Sequence, residues 1–285
     1  MTNYELNLKY KCKLLTSSYL FFLLLLIISG SFENAVLSNV FYYLAFVMPI
    51  ISVTQIILEE RYKKDARSSP VPDDFKYLAA DLKLTKESAI LFFPVIFPTV
   101  LITLSISLLS SYLLALLGVE QSTVISESFF PAVIIHALLP ALLEELLFRY
   151  LGIKLLGENK KEALILSTLF FAFAHANLFT IPYALFAGAI FSLLYIITGS
   201  IIPSLFIHFI NNTLSLLSIF GYAEGWLIPT LAALSLISLI FIFAMRKRYI
   251  GKIQACFNKK AEVLPKSPLV FIGVSLFLAI TSLVI

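Results

Sequence analysis

Long apolar runs separated by short polar stretches dominate the pattern of this chain. A helix needs about 20 mostly apolar residues to cross a bilayer, and nine runs meet or approach that length. We place them at residues 14–30, 36–58, 89–117, 130–150, 163–179, 182–198, 201–220, 226–245 and 269–285. The pattern predicts an all-α fold, a polytopic membrane helix bundle of eight spans with a ninth at the C-terminus. Residues 1–285 would form a single integral membrane domain.

The third run differs from the others because it is longer than a bilayer requires and contains two prolines. Segment 89–117 includes Pro94 and Pro98. Proline removes a backbone hydrogen bond and clashes with the preceding helical turn. We therefore expect a kink or a tilt in this span.

The positions of the basic residues support this division into spans. All 21 Lys and Arg residues lie before the first run, between the second and third, at or after the end of the fourth, or between the eighth and ninth. The intervening loops carry Glu33, Glu120, Glu127 and Glu224 but no Lys or Arg. Basic residues collect on the cytoplasmic side of membrane proteins. We therefore predict a multi-pass protein of the cell membrane with a cytoplasmic N-terminus.

The composition agrees with a membrane protein. Hydrophobic residues make up 60% of the chain and charged residues 13%, whereas soluble domains have about a quarter of their residues charged. The net charge of +4 reflects the basic loops on one side of the membrane. It does not indicate a nucleic-acid partner, and the lipid bilayer is the partner that the composition implies.

Regions outside the central spans allow more than one interpretation. Residues 75–84 form either a short helix on the inner membrane surface or an ordinary solvated loop. The basic region 246–268 is expected to contact anionic lipid headgroups. The first run could instead be a signal peptide, although Ser29-Gly30-Ser31 matches the usual cleavage site poorly. Cys12 and Cys256 both fall on the cytoplasmic side, where we expect no structural disulfide.

Polar chemistry is concentrated in one stretch, from His136 to His208. This stretch contains all three histidines and the only two acidic residues that fall inside an apolar run, Glu144 and Glu145. Carboxylates at bilayer depth are costly unless something there uses or neutralises them. The concentration predicts a catalytic site built inside a membrane protein.

The two glutamates are predicted to have different roles. Glu145 and Arg149 are four residues apart, so on a helix they share a face and can form an ion pair. Glu144 is rotated by about 100° from Glu145 and stays available as a general base, which a dry site favours by raising a carboxyl pKa. In the alternative interpretation, Arg149 and Lys154 hold both glutamates at the membrane edge.

The remaining polar side chains lie on later runs. His175 is on the fifth run, and His208 and Asn212 share one helix face on the seventh. Polar side chains inside a membrane bundle usually face its interior, so these residues can converge on Glu144. Simple helical rise places His175 several ångströms deeper than His208, a gap that tilt or a helix start near Leu166 would close. We interpret His136 as structural.

Together these motifs resemble a known family. Glu-Glu-x-x-x-Arg, Phe-x-x-x-His and His-x-x-x-Asn, in this order on successive membrane helices, are similar to the CPBP (Abi) family of intramembrane endopeptidases, which includes the Ras-converting CAAX protease type. The resemblance covers about residues 130–221, the expected catalytic core. Tyr150 stands where the family often has a small residue, and the ninth run extends beyond the usual eight helices. The motif positions are Glu144, Glu145, Arg149, Phe171, His175, His208 and Asn212.

The resemblance implies a mechanism and a class of partner. Glu144 and His175 would hold and deprotonate a water, and His208 and Asn212 would donate hydrogen bonds to the developing oxyanion. Glu145 and Arg149 would orient the base. The substrate would be a membrane-associated protein or peptide, of the prenylated CaaX-tail or bacteriocin-leader type.

Three alternatives stay open at this point. We favour a reaction without a cofactor, but Glu144, His175 and His208 would also be acceptable zinc ligands with a fourth position open for water. The chain could be a bacteriocin self-immunity or binding protein that keeps the fold without needing hydrolysis. A proton-coupled transporter is a further reading, because intramembrane carboxylates and histidines can relay protons.

Overall fold

The apolar runs are helical in the structure, a computed structural model that describes residues 8–65, 80–119, 125, 127–156, 160–222, 225–258 and 266–281. Within these residues the protein is a bundle of helices without β-strands. The predicted all-α, polytopic fold is confirmed. The helices are α1 (Leu8–Gly30), α2 (Ala35–Asp65), α3 (Lys86–Phe92), α4 (Ile96–Leu116), α5 (Phe129–Leu156), α6 (Lys160–Ala174), α7 (Ile181–Thr198), α8 (Ile202–Ile219), α9 (Leu227–Ala244), α10 (Arg246–Cys256) and α11 (Ser267–Thr281).

Most of these helices can cross a bilayer. Seven stretches of the described chain are long and apolar enough, namely α1, α2, α3 with α4, α5, α7, α8 and α9. The fifth and ninth predicted runs are the shorter helices α6 and α11, of 15 residues each. A helix of that length rises about 22 Å, less than the roughly 30 Å of a hydrocarbon core. The protein is a multi-pass membrane protein, and the count of eight or nine spans stays a prediction.

Two of the apolar runs are not regular helices throughout, and an irregularity was predicted for the first of them, run 89–117. A 3₁₀ turn, Phe93–Val95, separates α3 from α4 and contains Pro94. Helix α5 is more irregular, because it includes the π-helical segments Val133–Leu138 and Glu145–Leu151. Pro140 follows the first of these closely and lacks the N–H that would continue the regular ladder. π-Helical turns are rare and occur frequently at functional sites.

The helices pack as two pairs, α1 with α2 and α6 with α7, against α5. Helix α1 packs on α2, and α6 packs on α7, which also contacts α4 and α8. Helix α11 packs against α1 and α6. Tyr19 of α1 donates a hydrogen bond to the Leu147 carbonyl in the second π-helical segment, and its ring packs edge-on against Phe170 of α6. Helix α1 is thus integrated into the bundle core.

The distribution of Lys and Arg predicted that several segments lie on the same side of the membrane. In the structure these segments meet at one end of the bundle. The Asp81 carboxylate accepts a hydrogen bond from Lys154 Nζ at 3.1 Å, and its backbone carbonyl accepts one from the Ile201 amide. Helix α10 docks at the same end, where the Tyr249 hydroxyl donates to the Leu91 carbonyl at 2.6 Å. Burial raises the pKa of Tyr249, which keeps this donor protonated. Which end faces the cytoplasm stays a prediction.

The peripheral predictions have mixed outcomes. Residues 66–79 lie outside the described part of the chain. Of the predicted surface helix 75–84 only residues 80–84 are described, and among them Ala80–Leu82 form a 3₁₀ turn. The beginning of the basic region 246–268 is helix α10, and its contact with lipid stays a prediction. Cys12 is buried, Cys256 is half-buried, and both are free thiols.

Candidate active site

Three helices bring together five of the predicted site residues. Helix α5 carries Glu144, Glu145 and Arg149 where its regular part passes into the second π-helical segment. His175 directly follows the last residue of α6, and His208 lies in the middle of α8. The geometry of the cluster defines which groups each side chain contacts.

The Glu145 carboxylate is shared between a guanidinium and an imidazole. Arg149 Nη1 lies 2.9 Å from Glu145 Oε1, and both side chains are fully buried. The contact is an ion pair without an aligned N–H···O hydrogen bond. His208 Nδ1 lies 2.9 Å from the same oxygen, so Nδ1–H donates to Glu145. The sequence predicted the pairing with Arg149, whereas the contact with His208 needed the tertiary structure.

Aromatic rings enclose this buried charge. The Arg149 guanidinium carbon lies 3.8 Å from the centroid of the Phe171 ring and 5.3 Å from that of Phe191, within cation–π range. Phe191 also stacks on His208, with ring centroids 5.1 Å apart. Gly188 leaves the space for this packing, since a Cβ there would meet Phe171 Cδ1 at 2.9 Å. Phe191 and Gly188 carried no sequence signal, because both look like ordinary apolar-helix positions.

The end of α6 orients the second histidine. Ala176 has a left-handed backbone, with φ of 46°, and its amide donates to the Phe173 carbonyl. This turn ends the helix immediately after His175, whose Nδ1 lies 2.9 Å from the Phe171 carbonyl oxygen. Nδ1–H is therefore the donor to that carbonyl, and Nε2 is left with a lone pair. Ser275 of α11 also donates to the Phe173 carbonyl, which ties the C-terminal helix to the same turn.

Glu144 faces both histidines. Its Oε2 lies 3.7 Å from His208 Nε2 and 4.0 Å from His175 Nε2. This oxygen is buried and has no hydrogen-bond partner within the described part of the chain. Separations of this size are ones that a bridging water spans. Helical rise alone predicted that the two histidines lie at different depths in the membrane. In the structure both face the same carboxylate oxygen, so this difference does not separate them.

Asn212 and His136 are placed differently. Asn212 lies one turn after His208, is half-buried, and among the described residues its side chain has no hydrogen-bond contact. Its neighbour Asn211 is buried instead and accepts a hydrogen bond from Thr103 of α4. His136 lies apart from the cluster, 3.4 Å from Glu127 at the opposite end of the bundle from Asp81.

A cavity leads to the base. It has a volume of about 190 Å³ and lies between α1, α2, α5 and the end of α6. Three of its lining residues carry a polar group, Tyr42, Glu144 and His175. The other lining residues are apolar, namely Phe22, Leu26, Phe46, Phe148 and Ala174. The arrangement can therefore hold a peptide bond with apolar flanking groups beside a carboxylate.

The spacing of the same residues differs from that of a tetrahedral zinc site. In a tetrahedral zinc site the metal–ligand distances of about 2.0–2.2 Å place the ligand atoms about 3.3–3.5 Å from one another. The separations from Glu144 Oε2 to the two histidines are longer, at 3.7 and 4.0 Å. Within the described residues, no three His, Cys, Asp or Glu side chains are arranged to hold a metal ion. The donor set does not form a preassembled zinc site.

Comparison with known proteins adds to this geometry. Residues 126–214 match the family model described as "Type II CAAX prenyl endopeptidase Rce1-like". The match confirms the predicted family. The Rce1-like segment contains every motif residue, from Glu144 to Asn212, and supports a hydrolase that cuts peptide bonds. No curated protein and no solved structure matches the chain.

Proposed function

We propose that this protein is an intramembrane endopeptidase that hydrolyses a peptide bond of a membrane-associated protein or peptide, using a water activated by Glu144. The observation that carries the proposal is the Glu144 carboxylate. Its Oε2 is buried, lacks a partner among the described residues and faces Nε2 of His175 and His208. The Rce1-like match over residues 126–214 supports the same reaction class.

In this mechanism Glu144 is the general base and then the general acid. A water held between Glu144 and His175 loses a proton to the Glu144 carboxylate, and its oxygen bonds to the carbonyl carbon of the substrate. The carbonyl π electrons move to the oxygen, which becomes an oxyanion. When the C–N bond breaks, the leaving nitrogen takes the proton back from Glu144. Hydrolysis thus balances without a metal or a redox partner.

His208 and Asn212 are the proposed hydrogen-bond donors to the oxyanion. Because Nδ1–H of His208 already donates to Glu145, donation from Nε2 requires the imidazolium form. Asn212 follows one helical turn later and has amide N–H groups that can reach the same side of α8. Donors aimed at a developing charge stabilise the transition state.

Glu145 and Arg149 have a positioning role in this scheme. The Glu145 oxygen that contacts Arg149 also holds His208 Nδ1, so the ion pair sets the tautomer and the orientation of the imidazole. The sequence motif implied that this pair orients the base. The contacts favour orientation of His208, which in turn faces Glu144.

The cavity supports the proposed substrate class. Its apolar lining beside Glu144 and His175 suits a peptide whose neighbouring groups are hydrophobic and embedded in the bilayer. Prenylated CaaX tails and bacteriocin leader peptides both meet this description. Glu144 and His208 lie on helices apolar enough to span a membrane, so the substrate would reach the site from the lipid phase.

Replacement of the base tests the proposed function. The purified protein and its Glu144→Gln variant would be assayed in lipid nanodiscs with a farnesylated CaaX-type peptide and a bacteriocin leader peptide, with products identified by mass spectrometry. We expect Glu144→Gln to lower kcat by about 10²–10⁴ because the general base is lost.

The matched control is Glu127→Gln, which neutralises a carboxylate that contacts His136 away from the cluster. This variant should retain wild-type cleavage and wild-type thermal unfolding. Cleavage by Glu144→Gln at a near wild-type rate would contradict the assignment of Glu144 as the base.

A further inference from the structure

The cavity has a polar group that the proposed mechanism leaves unused. Tyr42 of α2 lines it together with Glu144 and His175. The Tyr42 ring packs edge-on against Phe46 and Tyr43, with centroid distances of 5.5 and 5.3 Å. This packing directs the side chain without engaging the hydroxyl.

The Tyr42 hydroxyl has no hydrogen-bond partner within the described part of the chain, whereas tyrosine hydroxyls in buried settings usually have one. It is close enough to Glu144 for the two groups to interact electrostatically. Of the polar side chains that line the cavity, Glu144 is the proposed base and His175 presents a lone pair at Nε2. The hydroxyl is therefore the donor available on the cavity side of the site.

The other proposed donors are less directly available to a substrate. His208 is only 5% exposed, is not part of the cavity lining, and donates its Nδ1 proton to Glu145. Its Nε2 donates only in the imidazolium form. A tyrosine hydroxyl, by contrast, carries its proton at neutral pH and can donate without any change of charge.

We propose that Tyr42 is a further catalytic residue, which donates a hydrogen bond from its hydroxyl to the carbonyl oxygen of the scissile peptide. The proton stays on the tyrosine throughout, while the carbonyl oxygen gains negative charge as the water adds. This inference rests on the proposed function, because it assigns a donor for the same hydrolysis. Helix α2, which lies outside the Rce1-like match, thereby contributes to the site.

The test compares Tyr42→Phe with Tyr43→Phe. Both variants remove one hydroxyl from adjacent residues of α2, but Tyr43 does not line the cavity. We expect Tyr42→Phe to lower kcat on the farnesylated CaaX-type peptide by about 10², as loss of one oxyanion donor does, with KM nearly unchanged. Tyr43→Phe should keep the wild-type kcat.

A second measurement separates the donor role from folding and from general packing. A peptide aldehyde of the same sequence, which forms a tetrahedral hydrate, should bind Tyr42→Phe less tightly than wild type. The corresponding peptide alcohol should bind both proteins alike, since donors to a developing charge favour the tetrahedral species. Thermal unfolding of the two variants verifies that each is folded.

The outcomes distinguish this inference from the proposed function. Cleavage that depends on Glu144 but is unchanged in kcat by Tyr42→Phe would overturn the role of Tyr42 and leave the peptidase intact. A rise in KM alone would also overturn it, because the hydroxyl would then bind the ground state. If wild type cleaves neither the CaaX-type nor the leader peptide, the proposed function fails and the Tyr42 role fails with it.

Discussion

The positions of the imidazole protons determine whether each histidine of this site donates or accepts a hydrogen bond. His175 donates Nδ1–H to the Phe171 carbonyl and His208 donates Nδ1–H to Glu145. In their neutral forms both imidazoles therefore present Nε2 lone pairs toward Glu144 Oε2. Such an arrangement suits a water, which has protons to donate, and it would also suit a cation. The distances between Glu144 Oε2 and the two Nε2 atoms favour the water over the cation.

We predict that activity survives metal chelation. The separations of 3.7 and 4.0 Å from Glu144 Oε2 to the histidines exceed the roughly 3.3–3.5 Å between nitrogen and oxygen ligands of a tetrahedral zinc site. Cleavage of the farnesylated CaaX-type peptide would be measured after incubation with 1,10-phenanthroline, with its non-chelating 1,7 isomer as the control. Elemental analysis of the purified protein should find far less than one zinc per chain.

A different result would reassign the three side chains. Stoichiometric zinc, with activity lost only in the chelating isomer and restored by zinc, would make Glu144, His175 and His208 metal ligands. The water would then be activated by the ion. The contacts of Glu145 with Arg149 and His208 would be unaffected by that change of role.

At the scale of helices, the packing of α7 against α6 determines where the aromatic ring beside the buried ion pair lies. Gly188 of α7 faces Phe171 of α6, and its missing side chain lets the Phe171 ring lie against the Arg149 guanidinium. The Cβ of an alanine there would also meet Arg149 Nη2 at 3.5 Å. A substitution at Gly188 therefore acts on the buried ion pair through one aromatic ring.

We predict that Gly188→Ala destabilises the protein and lowers its activity. Overpacking of a filled interior costs about 1–3 kcal/mol, and here the displaced ring orients the Arg149–Glu145 pair. Thermal unfolding in detergent and turnover of the CaaX-type peptide would be measured together. Gly273→Ala on α11 is the matched control, because a Cβ there meets no atom within 4 Å.

Only Gly188→Ala should lower the unfolding temperature. In the control, replacing a helical glycine favours the helix by up to about 1 kcal/mol, so its unfolding temperature should stay the same or rise slightly. An unchanged unfolding temperature and full activity in Gly188→Ala would show that Phe171 can move without disturbing the site.

At the scale of the whole molecule, the orientation of every segment after α6 depends on whether this short helix crosses the membrane. Helix α10 docks beside Leu91 and Ile196, at the end of the bundle where Asp81 meets Lys154. This position places α10 on the side predicted for the N-terminus. An even number of crossings must then precede it, and α6 has to be counted among them.

We predict that Glu33 and Gly251 lie on opposite sides of the membrane, with Gly251 cytoplasmic. Glu33→Cys and Gly251→Cys would be made separately after Cys12 and Cys256 are replaced by serine. Both positions are exposed. A membrane-impermeant thiol reagent should label Glu33→Cys in intact cells and Gly251→Cys only after permeabilisation, because basic segments stay in the cytoplasm.

Labelling of Gly251→Cys in intact cells would contradict this arrangement. It would mean that α6 does not complete a crossing, or that the N-terminus is outside. Labelling of Glu33→Cys separates these two cases, since an external Glu33 with an external Gly251 implicates α6.

The amino-acid sequence by itself determined the class of this protein. Apolar runs of bilayer length and the one-sided distribution of Lys and Arg predicted a helical membrane bundle, because the bilayer imposes strict costs on length and charge. The four-residue spacing predicted the ion pair of Glu145 with Arg149, because it depends on local geometry alone. The ordered polar motifs predicted the family that residues 126–214 match.

Only the tertiary structure decided which groups meet. The contact of Glu145 with His208, the stacking of Phe191 on His208 and the cavity position of Tyr42 join residues far apart in sequence. Such contacts depend on how helices cross, which hydrophobic periodicity does not specify. The amino-acid composition also does not predict the π-helical turn at Glu145–Leu151 or the left-handed backbone of Ala176. Both features depend on how neighbouring helices pack.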